Sequence, residues 1–243
     1  MSYYELDKEY VLNTYKRIPL DVAKGDGGYL FDTEGNKYLD MFSGIAVLHL
    51  GHNDQGLKDA MINQINKYAH LSNYFASEPV VELAKKLVEN SFAKKVFFAN
   101  SGTEANEGAL KLAVKWGKEI NINKTEIIST LNGFHGRTTG ALALTGQPGK
   151  QEPFSTILPA VKYINYNSIE NLKAAVNENT CAIFLEAIQG EGGIIELDIE
   201  FVKELHALRD KYNFLIIMDE IQAGLGRTAN ELFAYEAYGV NPD

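Results

Sequence analysis

Two carboxylates stand at the end of an apolar run in "LIIMDEIQAGLGRT", residues 215–228. The run is typical of a buried strand, where a carboxylate needs a positive or hydrogen-bonding partner or else takes up a proton. Asp219 and Glu220 are therefore the first candidates for chemistry. Asp219 has two interpretations: it caps a helix, with Gln222 completing a capping box, or it is the counter-charge of a bound cation.

A second polar motif, "NSGTEANE" (residues 100–107), leads from a predicted strand into a predicted helix. The backbone N–H groups of Gly102 and Thr103 at a helix N-terminus form a cradle for an anion, and the hydroxyls of Ser101 and Thr103 add donors. Taken alone, the motif favours a simple helix cap, in which Ser101 accepts the N–H of Glu104. It lacks the Gly-Lys-Ser/Thr ending of a Walker motif and the glycine spacing of a dinucleotide site.

The motif "GFHGRTTG" (residues 133–140) places an aromatic ring, a histidine and an arginine between glycines. Phe134 can stack on a flat ligand, and Arg137 can bind a carboxylate through two parallel hydrogen bonds. A single Phe is more often part of a core, and an arginine is often a surface charge. The functional interpretation therefore depends on Arg137, and the sequence assigns no role to His135.

A third loop, "LEAIQGEGG" (residues 185–193), carries two glutamates. Glu191 lies in a glycine-flanked loop at a predicted strand exit, where polar groups are often simply solvated. Glu186 stands inside the apolar run, so it needs a partner.

An anion cradle, a stacking ring and a carboxylate that faces a cation together fit pyridoxal phosphate. The carboxylate of Asp219 would keep the pyridine nitrogen protonated and electron-withdrawing. A metal ion is the competing cation, because His49 and His52 stand three apart in "HLGH". No Cys or further His lies nearby, and Asp219 and Glu220 would point to opposite faces of a strand. We therefore expect the pyridine cofactor and no metal.

The elements that position these motifs form a regular alternation. From about Lys94, strand-like stretches ("KVFFAN", "TEIIST", "CAIFLEAI" and "NFLIIMD") alternate with helical ones. This pattern predicts an α/β fold with a mostly parallel central sheet and helices on both faces. Ligands of such sheets bind beyond the carboxyl ends of the strands. Each predicted strand leads into one of the four polar motifs, so the sequence predicts one large site.

The beginning of the chain is different. In "GGYLFDTEGNKYLDMFSG" two short predicted strands flank the turn "TEGN", and "QGLKDAMINQINKYAHL" and "EPVVELAKKLVENSF" have helical spacing. We predict an N-terminal segment of mixed structure over residues 1–70, part of a small domain and linker. A cofactor-binding large domain, incomplete at its C-terminal end, would cover residues 71–243.

Bulk composition narrows the class of partner. The net charge of −9 disfavours nucleic acid or an anionic membrane as the main partner. The single Cys181 rules out an intramolecular disulfide and is typical of a reducing cytoplasm. The start "MSYYELDKEY" lacks the features of a signal peptide, and no apolar run approaches the roughly 20 residues of a membrane helix. A cytoplasmic protein with small-molecule ligands is expected.

Taken together, the motifs resemble the class III, ornithine-type aminotransferases of pyridoxal-phosphate fold type I. The resemblance runs along nearly the whole chain, through "NTYKRIPL", "YLDMFSGIAVLHLGH", "FFANSGTEANEGALKLA", "FHGRTTGALALTGQP", "LEAIQGEGG" and "MDEIQAGLGRT". It implies a homodimeric aminotransferase that moves the terminal amino group of N-acetylornithine, or a similar ω-amino acid, to 2-oxoglutarate in arginine biosynthesis. Ornithine, succinylornithine and γ-aminobutyrate are the alternative donors.

The resemblance also implies roles for individual residues. Cofactor binding falls on Ser101, Gly102, Thr103, Phe134, Asp219, Glu220, Ile221 and Gln222. Substrate binding falls on Tyr15, Arg137 and Glu191. Asp219 would pair with the pyridine nitrogen, Phe134 would stack on the ring, and Gln222 would bond on the side of the ring hydroxyl. Arg137 would take the α-carboxylate of the donor, and Glu191 would pair with a second arginine until the dicarboxylate substrate claims that arginine.

The sequence departs from the family pattern in several places. Ala187 stands where proline is usual, "GHNDQG" replaces a stretch usually reading Gly-His-x-His-Pro, and "GRTANELFAYE" is altered. The family's Schiff-base lysine follows shortly after "GVNPD", yet the last lysine here is Lys211. We expect a piece of a longer enzyme whose catalytic lysine lies beyond Asp243, inactive as it stands. The alternative is a non-catalytic binding protein with an aminotransferase-like fold.

Overall fold

A computed structural model of the chain describes residues 2–228 and 231–243. The chain forms two compact units, Met1–Ser77 and Glu78–Asp243; the boundary predicted from the sequence lies seven residues earlier. Residues 229 and 230, within the altered stretch "GRTANELFAYE", lie outside the described ranges.

The first unit has a three-stranded antiparallel sheet in the order β1-β2-β3. Its elements are α1 (Tyr3–Tyr10), β1 (Val22–Asp26), β2 (Tyr29–Asp32), β3 (Lys37–Leu39), α2 (Ser43–Ala46) and α3 (Gln55–Lys67). The pairing of β2 with β3 confirms the two strands predicted around "TEGN". The carboxylate of Asp32 accepts the N–H groups of Glu34 and Asn36, which fixes that turn.

His52 makes two contacts next to this sheet. Its Nε2 lies 2.7 Å from Asp40 Oδ2, and its backbone forms a bridge to Gly27. The hydrogen bond from His52 holds the pKa of Asp40 below its ordinary value. Within the described ranges no group of three or more His, Cys, Asp or Glu side chains is arranged to hold a metal ion.

The second unit is the larger one. Its helices are α4 (Glu78–Glu89), α5 (Gly102–Ile120), α6 (Thr139–Leu144), α7 (Pro148–Gln151), α8 (Ile169–Ala175), α9 (Ile199–Tyr212) and α10 (Ala234–Ala237), with a 3-10 helix at Glu152–Ile157. Its strands are β4 (Glu126–Thr130), β5 (Lys162–Ile164), β6 (Thr180–Glu186), β7 (Ile188–Gln189), β8 (Ile195–Glu196) and β9 (Leu215–Asp219).

A parallel sheet in the order β5-β4-β6-β9 forms the centre of this unit. Alternate side chains of each strand point to opposite faces. On one face Ile128, Ile183 and Ile216 pack against α8 and α9, and on the other Ile127 and Phe184 pack against α5. The predicted α/β fold, with helices on both faces of a parallel sheet, is therefore confirmed.

One predicted strand is wrong. Residues 95–100 ("KVFFAN") form no strand, and Phe97 is 72% exposed. A cavity of about 370 Å³ is lined both by residues 95–97 and by Ile217 and Met218 of β9. This cavity lies between residues 95–97 and β9, and residues 95–100 form no backbone pairing with that strand. β5, which was not predicted, forms the opposite edge of the sheet; its three residues "KYI" are too few to show the alternating pattern of a strand.

No helix within the described ranges is long and apolar enough to cross a membrane.

Candidate active site

The carboxyl ends of β6 and β9 lie side by side, because Glu186 and Asp219 are paired in the parallel register. Both residues are buried. Asn106 of α5 and His135 of the loop after β4 also reach Asp219. The four motifs predicted to share a site thus meet at one edge of the sheet, as expected for an open α/β sheet.

Asp219 accepts three hydrogen bonds. Its Oδ2 accepts from Asn106 Nδ2 at 2.9 Å and lies 2.7 Å from His135 Nδ1, and its Oδ1 accepts the N–H of Ile221 at 3.0 Å. The bond to Ile221 makes a local turn, but no helix starts here, so the predicted capping box with Gln222 is wrong. The partner required by a buried carboxylate is supplied from α5 and from the loop after β4.

His135 had no role assigned from the sequence, and the structure gives it one. A carboxylate oxygen can only accept a hydrogen bond, so Nδ1 of His135 carries a hydrogen and donates a hydrogen bond to Asp219. The imidazole is fully buried and meets Phe184 edge-on, with ring centroids 6.3 Å apart. Its Nε2 is buried without a hydrogen-bond partner. The ring is thus fixed in orientation and in tautomer by Asp219.

The N-terminus of α5 has the geometry of an anion cradle. The Ser101 side chain accepts the N–H of Glu104 at 3.2 Å, which confirms the predicted cap. The N–H groups of Gly102 and Thr103 precede the first intrahelical bonds and point out of the helix end. A Cβ at Gly102 would lie 2.6 Å from Ile221 Cδ1, so glycine at this position lets Ile221 approach the cradle.

Phe134 is half-buried beside this cluster, and its N–H donates to Glu186 Oε2 at 3.3 Å. Lys150 Nζ lies 5.1 Å from the Phe134 ring centroid. A lysine therefore lies beside this motif loop, although the motif itself contains none. Arg137 follows in the same loop, exposed, with its N–H donating to Thr103 Oγ1 at 3.2 Å.

Glu186 has an unusual environment for an acid. Burial raises its pKa to about 7, an effect that nearby Asp219 adds to and His135 opposes. His135 and the N–H of Phe134 favour the charged form, but burial outweighs both. At neutral pH this carboxyl is therefore balanced between its neutral and charged forms.

The loop between β7 and β8 is tied down by Gln189, whose amide donates to Thr130 Oγ1 at 2.9 Å and to the carbonyl of Leu131 at 3.0 Å. Glu191 lies exposed in this loop. With Asn132, Glu191 lines an open, polar cavity of about 480 Å³ to which Lys150 also contributes. This places Glu191 near the start of the Phe134 loop, and its predicted pairing with a second arginine stays a prediction.

The remaining predicted residues are distributed differently. Glu220 points away from the Asp219 cluster, because its carboxylate accepts the N–H groups of Ala234 and Tyr235 at the start of α10. Gln222 lies against Gly190, where a Cβ would be 2.4 Å from its Oε1. Tyr15 belongs to the first unit, and its predicted role in donor binding stays a prediction.

Sequence reasoning missed Asn106 and Glu107 as well as the role of His135. A signal for the first two was present: Thr103, Asn106 and Glu107 follow the spacing i, i+3, i+4, which places them on one face of a helix. This spacing predicts that the side chains of Asn106 and Glu107 lie on the same face of α5 as Thr103.

The parallel sheet and the polar side chains at its carboxyl edge define an α/β domain with a candidate ligand site. The chain belongs to the Aminotransferase class-III family, whose sequence profile matches residues 10–243.

Individual relatives show which aminotransferases the chain is similar to. The chain is 48% identical over 238 residues to an acetylornithine aminotransferase of Caldanaerobacter subterraneus subsp. tengcongensis, covering 98% of this chain and 60% of that one. It is 42% identical to a succinylornithine transaminase of Salmonella newport, covering 97% and 58% of the two chains. The fold superposes on the ornithine aminotransferase of Toxoplasma gondii, whose active site holds pyridoxal phosphate at partial occupancy, with a TM-score of 0.92, 31% identity and coverages of 99% and 57%. The chain thus spans about 60% of the length of the curated relatives that it matches.

Proposed function

We propose that the chain is part of a pyridoxal-phosphate-dependent aminotransferase that moves the terminal amino group of N-acetylornithine, or a similar ω-amino acid, to 2-oxoglutarate in arginine biosynthesis. The observation that carries the proposal is the buried carboxylate of Asp219. It is held by Asn106 and His135 beside the N-terminus of a long helix. Family membership and the relatives named above support the same activity.

The residues present fit the cofactor. Gly102 and Thr103 offer two N–H groups at a helix N-terminus, where a phosphate is favoured by charge and by hydrogen bonding. The ring of Phe134 is half-buried nearby, available for stacking on a pyridine ring. Asp219 supplies the negative charge that a protonated ring nitrogen requires.

Each residue then has a defined task. The bound cofactor supplies an electron sink for charge that develops at the substrate carbon. Asp219 holds a proton at the ring nitrogen, and His135 donates to Oδ2 so that the carboxylate keeps one orientation. Asn106 binds both the carbonyl of His135 and the same Oδ2, which locks the pair together. Phe134 would stack on the cofactor ring, and the α5 cradle would bind its phosphate.

The donor is proposed to bind by its α-carboxylate. A guanidinium at Arg137 binds a carboxylate through two parallel hydrogen bonds. With its carboxylate held there, an ω-amino acid presents its amino group at the opposite end, toward the cofactor. N-acetylornithine is the preferred donor because an acetylornithine aminotransferase is 48% identical. Succinylornithine, ornithine and γ-aminobutyrate are the competing donors.

We place the enzyme in the cytoplasm as a homodimer. The single Cys181 is buried as a free thiol, in keeping with a reducing compartment. Support for self-association comes from the outer face of α5, where Phe97 and Leu112 line an open apolar groove of about 990 Å³. A second copy covering this groove would remove those side chains from water.

The test uses the protein expressed from its complete reading frame and loaded with pyridoxal phosphate. Glutamate formation from 2-oxoglutarate is followed with N-acetylornithine, succinylornithine, ornithine and γ-aminobutyrate as donors. We expect the highest kcat/KM for N-acetylornithine. Cofactor binding without amino transfer from any of the four would refute the proposal and favour a non-catalytic binding protein.

A further inference from the structure

One face of α5, formed by Thr103, Asn106 and Glu107, lies against the loop that follows β4. Asn106 binds Asp219 and the carbonyl of His135, so it belongs to the proposed cofactor site. The hydroxyl of Thr103, whose N–H belongs to the cradle, and the carboxylate of Glu107 contact residues 136–141 of the loop. These contacts bear on the substrate end of the site.

Glu107 serves as an external cap for α6. Its Oε1 accepts the hydroxyl of Thr138 at 2.5 Å and the N–H groups of Gly140 at 2.7 Å and Ala141 at 3.2 Å. Thr138 is the N-cap residue of α6, yet its side chain makes no cap hydrogen bond. The carboxylate of Glu107 takes over that function from another helix.

The contact requires close approach. A Cβ at Gly140 would lie 2.4 Å from Glu107 Oε2. A Cβ at Gly136 would lie 2.0 Å from Thr103 Oγ1, and Gly136 has φ +130°, which favours glycine. Both ends of the segment 136–140 are therefore seated directly on α5.

Arg137 lies between these two seats. Its N–H donates to Thr103 Oγ1, and the Thr103 hydroxyl is 3.3 Å from that of Thr138, which in turn donates to Glu107. The backbone of Arg137 is thus connected to Glu107 through two hydroxyl groups.

The charge state of Glu107 suits this role. Burial raises its pKa, but the hydrogen bonds from Thr138, Gly140 and Ala141 outweigh burial, and the pKa lies below its ordinary value. At neutral pH the group is a carboxylate, and its charge strengthens all three bonds to Oε1. An amide would keep the acceptor oxygen without the charge, and alanine would remove both.

We infer that Glu107 is a positioning residue for the subsite that binds the donor's carboxylate: it holds the loop that carries Arg137 in the place where the guanidinium meets that carboxylate. The inference rests on the proposed function, which assigns carboxylate binding to Arg137. Glu107 itself touches no substrate.

The experiment measures binding without turnover, in the cofactor-loaded protein from the complete reading frame. The probe is N-acetylnorvaline, which keeps the carboxylate of N-acetylornithine but lacks the δ-amino group, and its carboxamide is the uncharged control. Isothermal titration calorimetry should show that Glu107→Ala raises the Kd of the carboxylate about 10-fold and that of the carboxamide less than about 2-fold. Glu119→Gln, which removes a charge elsewhere on α5, should change neither Kd.

A double-mutant cycle separates positioning from general support of the fold. In an Arg137→Gln background, Glu107→Ala should cause no further rise in the Kd of the carboxylate, since both changes remove the same interaction. Equal weakening of both ligands, additive losses in the cycle, or an unchanged Kd in Glu107→Ala would each overturn the inference. If Glu107→Ala does not fold, Glu107→Gln keeps the side-chain size and carries the same comparison with a smaller expected rise.

The two levels of proposal fail in different ways. Wild-type protein that binds N-acetylnorvaline but transfers no amino group refutes the proposed function alone. Wild-type activity combined with an unchanged Kd in the Glu107 variants refutes the positioning role alone. Wild-type protein that binds no carboxylate ligand refutes both.

Discussion

Replacing Asp219 by asparagine is the most direct test of the site. The amide has nearly the shape of the carboxylate but only one acceptor oxygen. Three donors converge on Asp219 in the structure, from Asn106, His135 and the backbone of Ile221. In Asp219→Asn at least one of them faces an NH₂ group, and the charge that keeps the pyridine nitrogen protonated is lost.

The expected loss follows from these two effects. A hydrogen bond to a charged group contributes about 1.5–3 kcal/mol, and removing one charge-stabilising group at a reaction centre costs about 10²–10³-fold in kcat. We therefore expect kcat to fall at least about 100-fold in Asp219→Asn. The fold should stay intact because the side-chain volume is kept, but the thermal midpoint should fall by a few degrees because a buried donor then faces the NH₂ group.

The assay combines kcat at saturating donor with the absorbance of bound pyridoxal phosphate, so that loss of cofactor is distinguished from loss of chemistry. Asp210→Asn is the matched control, since that side chain is 76% exposed on α9 and should leave kcat unchanged. Turnover within about 3-fold of wild type, with cofactor bound, would show that Asp219 only organises the turn to Ile221 and that the electrostatic argument is wrong.

Three further outcomes are expected. Arg137→Lys keeps the charge but loses the paired hydrogen bonds of the guanidinium. The kcat/KM for N-acetylornithine should therefore fall about 10 to 100-fold, while that for a simple alkylamine stays nearly constant. An equal fall for both donors would contradict the role of Arg137 in binding the carboxylate. Burial raises the pKa of Glu186 from 4.5 to about 7, so the stability that its proton supplies is present below about pH 4.5 and is lost as the pH rises to about 7. In the wild type, this group should lower the unfolding free energy by up to about 3 kcal/mol between about pH 5 and pH 8, and Glu186→Gln should abolish that decrease. Urea unfolding of the apoprotein measures it, and parallel pH curves for the two proteins would refute the expectation. Borohydride reduction of the 243-residue chain with pyridoxal phosphate should give no stoichiometric pyridoxyl-lysine by mass spectrometry, because no lysine follows Lys211; a single adduct, for instance at Lys150 beside Phe134, would count against it.

The central sheet was largely predictable. β4, β6 and β9 coincide with apolar runs that can be recognised directly in the sequence; β6 is buried on both faces, β4 nearly so, and β9 is partly buried. β5 was not, because it has three residues and its Lys162 is bonded to Glu126 at the edge of the sheet. Residues 95–100 have the same apolar character as a strand, but pairing requires a neighbour, and a single-chain pattern carries no information about neighbours.

The site was predictable in its parts and not in its connections. Asp219, Phe134 and the α5 cradle were found because each stands at a recognisable local motif. Asn106 is 113 residues from Asp219 in the chain, and His135 is 84 residues from it, so no periodicity links them. Glu220 shows the converse: the resemblance implied cofactor binding, but its carboxylate accepts the N–H groups of Ala234 and Tyr235, which no local pattern predicts.

The contact of the arginine loop with α5 has a consequence for how this fold tolerates sequence change. A helix is stiff along its axis, so the phosphate cradle, the partner of Asp219 and the seat of the arginine loop move as one body. Mutations that shift α5 preserve the spacing between these three points, and variants with new donor preferences should therefore arise in segments that α5 does not touch, such as residues 190–193. At Gly136, which has φ +130° and where a Cβ would meet Thr103, a saturation library selected for activity should return glycine alone. At Gly140 the obstructing atoms are the ends of the Glu107 and Leu110 side chains, so selection for glycine should be weaker there.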